Sequence, residues 1–207
     1  MEAAKIYEQI KKKYGVSRDK TLVVGIDGLG GAGKSTVSET LRKMFRGDGI
    51  SVTVLHIDDF IHPKSVRYND KYAEWECYYN LQWRYDYLIN EVIMPIKRGS
   101  FIGKTELYDK DSDTYFLSET DIPVGSIAIV EGIFLQREEL RGVFDYMIYI
   151  DIPEEIRLER VLERDGYIGG KEQIKAKYEN RYFPAERYYV KTCSPCDNAD
   201  YISRSGV

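Results

Sequence analysis

The 207-residue sequence has no long hydrophobic run and no excess of positive charge. None of its apolar stretches approaches the roughly 20 residues that span a bilayer. Its formal net charge is -4, so no overall positive field draws it to nucleic acid or to an anionic membrane surface. The first ten residues lack the unbroken apolar stretch of a signal peptide. We therefore expect a soluble, cytoplasmic protein that binds neither membrane nor nucleic acid.

Cysteine and histidine are also scarce, with three cysteines and two histidines in the chain. Cys193 and Cys196 have the spacing of a redox pair or of half a zinc site. A second pair is missing, because Cys77 stands alone and the histidines are His56 and His62. We expect reduced thiols rather than a metal site or disulfide, and the role of Cys193 and Cys196 stays open.

A glycine-rich run that ends in Lys34 and Ser35 lies between a predicted strand and a predicted helix. Its spacing, G-x-x-x-x-G-K-S, is that of a phosphate loop. Glycines let backbone N–H groups turn inward around a β-phosphate, while Lys34 reaches the β and γ oxygens and the Ser35 hydroxyl holds Mg²⁺. The motif predicts binding of a nucleoside triphosphate. The residues assigned to the nucleotide are Gly28, Gly30, Gly31, Ala32, Gly33, Lys34, Ser35 and Thr36.

Strand and helix signals alternate along the chain, which is typical of a parallel sheet with helices on both faces. The predicted strands are residues 22–26, 52–57, 127–130, 147–150 and 199–202. The predicted helices are an amino-terminal helix with its apolar side at Ala3, Ile6, Tyr7, Ile10 and Tyr14, then residues 35–45, 82–94, 153–164 and 171–189. Residues 101–107 and 114–117 alternate apolar and polar side chains and predict a small β-ribbon at the sheet edge. We expect an α/β fold with one domain over residues 1–207.

Acidic residues follow two predicted strands. Ligands of such sheets bind beyond the carboxyl ends of the strands, so Asp58 and Asp59 should face the γ-phosphate. An aspartate there can accept the proton of an attacking hydroxyl, which makes Asp58 a candidate base. Glu131 and Asp59, with Ser35, are candidates for the Mg²⁺ site. The alternatives are an acidic pair that caps a turn and a carboxylate that only leaves a buried strand for solvent.

Three arginines lie on one face of the predicted helix 153–164. Arg157, Arg160 and Arg164 recur at i, i+3 and i+7. Guanidinium groups at these positions can bind phosphates and stabilise the negative charge that develops during phosphoryl transfer. The glycines that follow, Gly166, Gly169 and Gly170, are typical of a hinge. The pattern predicts a lid over about residues 157–180. The alternative is a solvated helix face whose arginines pair with neighbouring glutamates.

Aromatic residues are dense between positions 68 and 87, with six tyrosines and two tryptophans. Such rings can enclose a base or a sugar. Most of them should instead pack this segment onto the sheet, and we assign two or three to the ligand. Phe60, Tyr79 and Tyr108, together with Asp58, are the residues assigned to the acceptor.

In this order the motifs resemble the uridine kinase and phosphoribulokinase family of phosphate-loop kinases. The segments that carry the resemblance are Gly28 to Ser35, Asp58-Asp59-Phe60, Tyr108-Asp109, Glu131-Gly132-Ile133-Phe134, the arginine run from Arg157 to Asp165, and Pro195 to Ile202. The resemblance implies that Asp58 is the catalytic aspartate and that Glu131 lies close to the metal. It also implies that the three arginines begin the lid and meet the phosphates.

The acceptor side departs from uridine kinases. Their Tyr-Asp-Phe run is followed by a histidine that reads the pyrimidine, whereas here Tyr108-Asp109 continues as Lys110-Asp-Ser-Asp113. Their Asp-His-Pro-Asp stretch is replaced by Tyr79-Asn-Leu-Gln82-Trp83, and the lid after Asp165 offers only Lys171. The missing histidine and the replaced Asp-His-Pro-Asp stretch argue against uridine or cytidine as the acceptor. Asp58-Asp59-Phe60 also resembles nicotinamide riboside kinases, so the acceptor stays open.

The sequence predicts a Mg²⁺-dependent kinase that transfers the γ-phosphate of ATP to a hydroxyl of a small metabolite, a nucleoside or related sugar-containing compound. Lys34, Asp58, Arg160 and Arg164 are the expected catalytic residues, and Arg157 is expected to contact the nucleotide. No Asn-Lys-x-Asp run for guanine recognition exists, which favours ATP over GTP. The alternative is a nucleotide-dependent switch or regulatory module without an acceptor. Homo-oligomerisation stays open.

Overall fold

A five-stranded parallel sheet forms the centre of the computed structural model, which describes residues 2–15 and 19–204. The strands along the chain are β1 (Leu22–Gly28), β2 (Val52–His56), β3 (Phe101–Asp109), β4 (Thr114–Ile122), β5 (Ile127–Gly132), β6 (Tyr146–Ile150) and β7 (Tyr201–Ser203). The order in the sheet is β2-β5-β1-β6-β7, and β3 and β4 form a separate antiparallel ribbon. The predicted α/β fold is confirmed.

Helices cover both faces of the sheet. They are α1 (Glu2–Tyr14), α2 (Lys34–Gly47), α3 (Lys64–Arg67), α4 (Glu74–Leu81), α5 (Tyr85–Tyr87), α6 (Met94–Arg98), α7 (Glu154–Arg164), α8 (Lys171–Lys177), α9 (Phe183–Cys193) and α10 (Pro195–Asn198). Wider π-helical turns, Leu88–Ile93 and Tyr178–Tyr182, join α5 to α6 and α8 to α9. Each lies just before a proline, Pro95 or Pro184, whose ring cannot fit the normal i to i−4 turn.

The strands divide the hydrophobic core into two layers because successive side chains point to opposite faces. On β1, Val24 and Ile26 pack into the layer that contains the apolar side of α1 and α2. Val23 packs into the other layer, which contains Leu88 and Tyr189. All five of these side chains are completely buried. The inward side of α1 agrees with the predicted one.

Three predicted elements need correction. The ribbon exists, but it does not extend the main sheet, whose described edges are β2 and β7. The last strand is Tyr201–Ser203 rather than residues 199–202, because the Asp200 carboxylate accepts a hydrogen bond from Met147 N and the Asp200 N–H donates to Met147 O before the strand pairing begins.

The helix predicted over residues 82–94 begins later than predicted. Residues 82–84 leave the helix and pair with the chain after β2: His62 N donates to Gln82 O at 2.9 Å, and Arg84 N donates to Phe60 O at 2.8 Å. The helix begins again at Tyr85. This interruption places Trp83 next to the segment that carries Asp58.

The carboxyl ends of the central strands meet at one edge, as predicted. In the parallel register His56 lies opposite Glu131, Asp27 lies opposite Gly132, and Gly28 lies opposite Ile150. Across residues 2–15 and 19–204, no helix has both the length and the apolar character needed to cross a membrane.

Candidate nucleotide and acceptor site

The loop between β1 and α2 has a backbone that glycine favours. Gly31 and Gly33 have φ angles of +79° and +92°, a region that side chains disfavour. A Cβ on Gly31 would lie 2.7 Å from the carbonyl oxygen of Arg157. Lys34 begins α2 directly after this loop. The loop therefore points a helix amino terminus at the edge where the strands end, as an anion site requires.

Two arginines of α7 hold the carbonyl groups of the loop. Arg157 Nη1 donates to Gly30 O at 2.9 Å, and Arg160 Nη1 lies 3.2 Å from Gly31 O and 3.4 Å from Ala32 O. In a trans peptide the carbonyl and the following N–H point in opposite directions. Carbonyls turned toward α7 therefore direct the N–H groups of Gly31 and Gly33 to the other side, where they can bind phosphate oxygens.

Arg157 is committed to the protein rather than to a nucleotide. Its guanidinium donates to Glu186 Oε2 at 2.8 Å and to Ile152 O at 3.0 Å, and both Arg157 and Glu186 are 2% exposed. Glu186 Oε1 also accepts the Gly30 N–H at 2.9 Å. The expected phosphate contact of Arg157 does not fit this geometry. The Arg157–Glu186 pair instead binds the carbonyl oxygen and the N–H group of Gly30.

Lys34, Ser35 and Glu131 are brought together, as expected. Ser35 Oγ donates to Glu131 Oε1 at 2.9 Å, and His56 Nδ1 lies 2.5 Å from the same oxygen. Lys34 Nζ donates to Leu29 O. Burial lowers the pKa of Lys34, while the negative charges of Glu131 and other nearby acids oppose this effect. The hydrogen bond with Glu131 raises the pKa of His56.

The oxygen atoms of Ser35 and Glu131 fit a magnesium ion. Within the described part of the chain, no group of three or more histidine, cysteine, aspartate or glutamate side chains is placed to bind a metal. Mg²⁺ does not need such a group, because it keeps several waters and takes further ligands from phosphates. One hydroxyl and one carboxylate beside a phosphate loop are thus a sufficient protein contribution. Asp59 lies near His56, and its predicted place at the metal stays a prediction.

Asp58 lies near Lys34 and Glu131 at the same edge of the sheet. The residue is exposed to solvent, but other protein atoms surround its carboxylate closely and the negative charge of Glu131 lies near it. Desolvation and this repulsion raise its pKa, and the opposing influences are Lys34, the Trp83 indole and Arg164. A carboxylate with a raised pKa is a stronger base than an ordinary aspartate. The sequence-predicted base is therefore placed where a base can act.

The rings predicted to meet the acceptor have different surroundings. Phe60 is 1% exposed, and Tyr79 is 6% exposed and packs against the buried ring of Phe134 and the exposed ring of Tyr188. These two rings therefore do not line an open site. Tyr108 is also buried, and its hydroxyl donates to Asp113 and accepts from Arg67, so that it links the ribbon to α3.

Tyr78 and Trp83 lie near Asp58. The Trp83 indole nitrogen is buried and lies close enough to the Asp58 carboxylate to lower its pKa. Tyr78 packs against Trp83 at 5.0 Å and Tyr182 at 4.8 Å between ring centroids. The pKa of Tyr78 is raised, first by burial and then by the negative charge of Asp58. Tyr78 and Trp83 are therefore both neighbours of Asp58, and Tyr182 packs on Tyr78.

Arg164 is the most exposed of the three arginines. It pairs with Asp165 at 2.6 Å, and its side chain is 63% exposed. The three residues do not form one cationic surface, since Arg157 is buried, Arg160 binds the phosphate loop and Arg164 remains accessible. Val161, Ile174, Tyr178 and Phe183 form a small core of their own between α7 and α9. The lid over residues 157–180 stays a prediction.

A buried carboxylate behind the phosphate loop has no signal in the sequence. Asp27 accepts hydrogen bonds from Gly28 N at 2.8 Å, Tyr189 Oη at 2.5 Å and Gln136 Nε2 at 3.0 Å. Burial raises its pKa, and these three donors lower it. Asp27 thereby joins the end of β1 to α9 and to the segment after β5. Because Gly28 is the first residue of the phosphate loop, Asp27 fixes the start of that loop.

The Arg157–Glu186 pair predicts a large loss of stability in Glu186→Ala. Because this change leaves a buried guanidinium without its carboxylate, we expect the free energy of unfolding to fall by about 3–5 kcal/mol. Urea unfolding measures this change. Arg187→Ala is the matched control: its contact with Glu154 is 3.8 Å long and exposed, so it should cost at most about 1 kcal/mol. Equal unfolding midpoints for the two variants would contradict the structural role of the pair.

Residues 23–205 match the model of the Phosphoribulokinase / Uridine kinase family. A uridine kinase of Staphylococcus aureus (strain JH9) is 32% identical over 146 residues, which are 70% of this chain and 69% of that protein. A uridine kinase of Clostridium novyi (strain NT) is 28% identical over 155 residues, with the same coverage.

Solved structures share the fold. A structure described as a possible uridine kinase from Bacillus stearothermophilus is 30% identical, with a TM-score of 0.74 over 94% of this chain and 99% of that one. A putative fructose transport system kinase from Silicibacter sp. TM1040 is 17% identical with a TM-score of 0.70 over 98% of each chain, a similarity of fold alone. The chain therefore belongs to the phosphoribulokinase and uridine kinase family and is an ATP-dependent small-molecule kinase.

Proposed function

We propose that this kinase transfers the γ-phosphate of ATP to a hydroxyl group of a small, sugar-containing metabolite in a Mg²⁺-dependent reaction. The observation that carries the proposal is the meeting of three elements at one sheet edge. These are the arginine-held phosphate loop, the Ser35–Glu131 pair and the carboxylate of Asp58. Each supplies one requirement of phosphoryl transfer: phosphate binding, metal binding and a base.

The nucleotide is bound by the loop and Lys34. Backbone N–H groups surround the β-phosphate, and Lys34 neutralises charge on the β and γ oxygens. Ser35 and Glu131 would hold the magnesium ion, which supplies further charge neutralisation at the phosphates. The exposed guanidinium of Arg164 is the group of α7 that can reach the transferred phosphate, whereas Arg160 keeps the loop in shape.

Asp58 acts on the acceptor. It accepts the proton of the acceptor hydroxyl while that oxygen forms its bond to the γ-phosphorus and the bond from phosphorus to the β–γ bridging oxygen breaks. ADP leaves with the electrons of the broken bond, and the acceptor leaves as a phosphate ester. Lys34 stabilises the charge that develops on the bridging oxygen.

The acceptor is a nucleoside or a related sugar compound. Support comes from the family and from the rings of Tyr78 and Trp83 near Asp58, since aromatic faces pack well on sugars and bases. Two similar proteins are named uridine kinases, but this chain continues from Tyr108-Asp109 with Lys110 to Asp113, without the pyrimidine-reading histidine of the uridine kinase pattern. We place the enzyme in the cytoplasm, where ATP is available and free cysteines such as Cys77 stay reduced.

The role of Asp58 is tested by replacing it with asparagine. Asp58→Asn keeps the shape of the side chain and removes the base, so we expect turnover on the true acceptor to fall by roughly 10²- to 10⁴-fold, or about 3–5 kcal/mol of barrier. ATP affinity should change little, because Lys34 and loop amides hold the phosphates. Asp59→Asn is the matched control and should retain more turnover. If Asp59→Asn is the inactive variant and Asp58→Asn is nearly normal, the base is assigned to the wrong residue.

The raised pKa of Asp58 also predicts a pH dependence. Only the deprotonated carboxylate can accept a proton, so kcat/KM should fall as the pH falls through the pKa of Asp58. Because desolvation and Glu131 raise this pKa, the acid limb should lie above the ordinary aspartate value of 3.8. The measurement is kcat/KM against pH, with circular dichroism to confirm that the protein stays folded. An acid limb at or below the ordinary value, in folded protein, would argue against Asp58 as the base.

A further inference from the structure

Three cationic side chains surround the ring of Tyr68. The guanidinium carbons of Arg67 and Arg181 lie 5.3 Å and 4.6 Å from the ring centroid, and Lys177 Nζ lies 5.6 Å from it. Arg67 comes from α3, whereas Lys177 and Arg181 come from α8 and the π-helical turn after it. Tyr68 itself is 45% exposed. We call these four residues the Tyr68 basic cluster.

The positive charge of this cluster is only partly balanced. Lys177 lies 3.5 Å from Glu74, a carboxylate that is 55% exposed. In the described part of the chain, neither Arg67 nor Arg181 forms an ion pair. Arg181 is 1% exposed and donates only to neutral oxygens, Glu74 O and Gln82 Oε1. The chain as a whole is acidic, so this surplus of positive charge is local.

Unbalanced cations at a partly closed site have an energetic cost. A charge removed from water is unfavourable unless an opposite charge or a full set of hydrogen bonds compensates it. Arg67 Nε is buried without a hydrogen-bond partner among the described residues, although Arg67 Nη2 donates to Tyr108 Oη at 2.7 Å. An anionic ligand group would supply the missing charge and accept the unused donor.

The Tyr68 basic cluster and Asp58 share neighbouring side chains. The guanidinium carbon of Arg181, a member of the cluster, lies 5.3 Å from the centroid of the Tyr78 ring, and the pKa of Tyr78 is raised by burial and then by the negative charge of Asp58. Desolvation raises the pKa of Tyr167, and Asp58 and Tyr68 add smaller contributions. Tyr167 therefore lies near both. The Tyr68 basic cluster and Asp58 are likewise both neighbours of the Tyr78 ring.

We propose that the acceptor carries an anionic group, a phosphate or a carboxylate, that binds at the Tyr68 basic cluster while its reactive hydroxyl lies at Asp58. The inference rests on the proposed function and narrows the acceptor from sugar-containing compounds in general to acidic sugars and related acidic polyols. Arg67 and Lys177 make the direct contacts because they are only half-buried. Arg181 contributes its charge from behind the Tyr68 ring.

The test compares pairs of related compounds of which one member is neutral and the other carries a phosphate or a carboxylate. Ribose and ribose 5-phosphate, glucose and gluconate, and glycerol and glycerate are titrated into the protein by calorimetry, with ADP and Mg²⁺ saturating so that the phosphate loop is already filled. In at least one pair the anionic member should bind about tenfold tighter or more, the effect of one or two hydrogen bonds to charged groups. Raising the ionic strength should reduce this preference. Equal binding within every pair would overturn the proposal.

Variants assign the preference to the cluster. Arg67→Gln and Lys177→Gln should each remove most of the preference for the anionic member, and Arg67→Lys should restore part of it. Lys175→Gln is the matched control, because Lys175 is an exposed lysine of the same helix and should leave the preference unchanged. Thermal unfolding midpoints close to that of the wild type establish that the variants are folded. A preference that survives both glutamine variants would place the anion elsewhere and overturn the assignment.

The binding assay also separates this inference from the proposed function. Transfer of phosphate from ATP to the neutral members alone would overturn the anionic acceptor and leave the kinase mechanism standing. Cluster-dependent binding of an anionic member without formation of a phosphorylated product would instead support the subsite and count against the assigned transfer at Asp58.

Discussion

The buried ion pair between Arg157 and Glu186 is the constraint on which the rest of the site depends. One guanidinium and one carboxylate hold the carbonyl and the N–H of Gly30, and the guanidinium also fixes the end of the segment after β6 through Ile152 O. The phosphate loop is thereby attached to α7 and α9 before any nucleotide binds. Such preorganisation lets loop amides stabilise phosphate charge without a reorganisation cost during the reaction.

The acceptor side depends on a different feature, the interruption of the helix at residues 82–84. Pairing of these residues with Phe60 and His62 brings Trp83 next to Asp58 and places Gln82 where its amide oxygen accepts a hydrogen bond from Arg181. A continuous helix could not make these contacts, because its backbone groups would bond within the helix. The loss of a few helical hydrogen bonds therefore connects the candidate base to the Tyr68 basic cluster.

Local sequence signals account for the sheet and the phosphate loop but not for the partners of individual side chains. The spacing from Gly28 to Ser35 and the apolar strands predict the loop, the sheet edge and the approach of Ser35 to Glu131. The i, i+3, i+7 spacing correctly places Arg157 on a helix, but it carries no information on burial. Its partner Glu186 is one of 34 acidic residues and lies 29 positions away.

The same limit applies to the aromatic residues. Their density between positions 68 and 87 predicts a cluster, yet density does not distinguish a ring that fills the core, such as Tyr79, from one that lies near Asp58, such as Tyr78. That difference arises from the break at Gln82 and from α9, which supplies Tyr188 against Tyr79. Both are tertiary contacts that hydrophobic periodicity does not encode.

The most direct test of the account follows the γ-phosphate itself. ATP labelled at the γ-phosphate is incubated with Mg²⁺, a panel of sugars, sugar acids, sugar phosphates and nucleosides, and either the wild-type protein or Lys34→Ala. The account predicts that the label appears in a phosphate ester of one acceptor with the wild type, and that the variant forms little of it. Release of the label only as inorganic phosphate, whatever acceptor is present, would contradict it and would identify the site as that of a nucleotide-dependent switch.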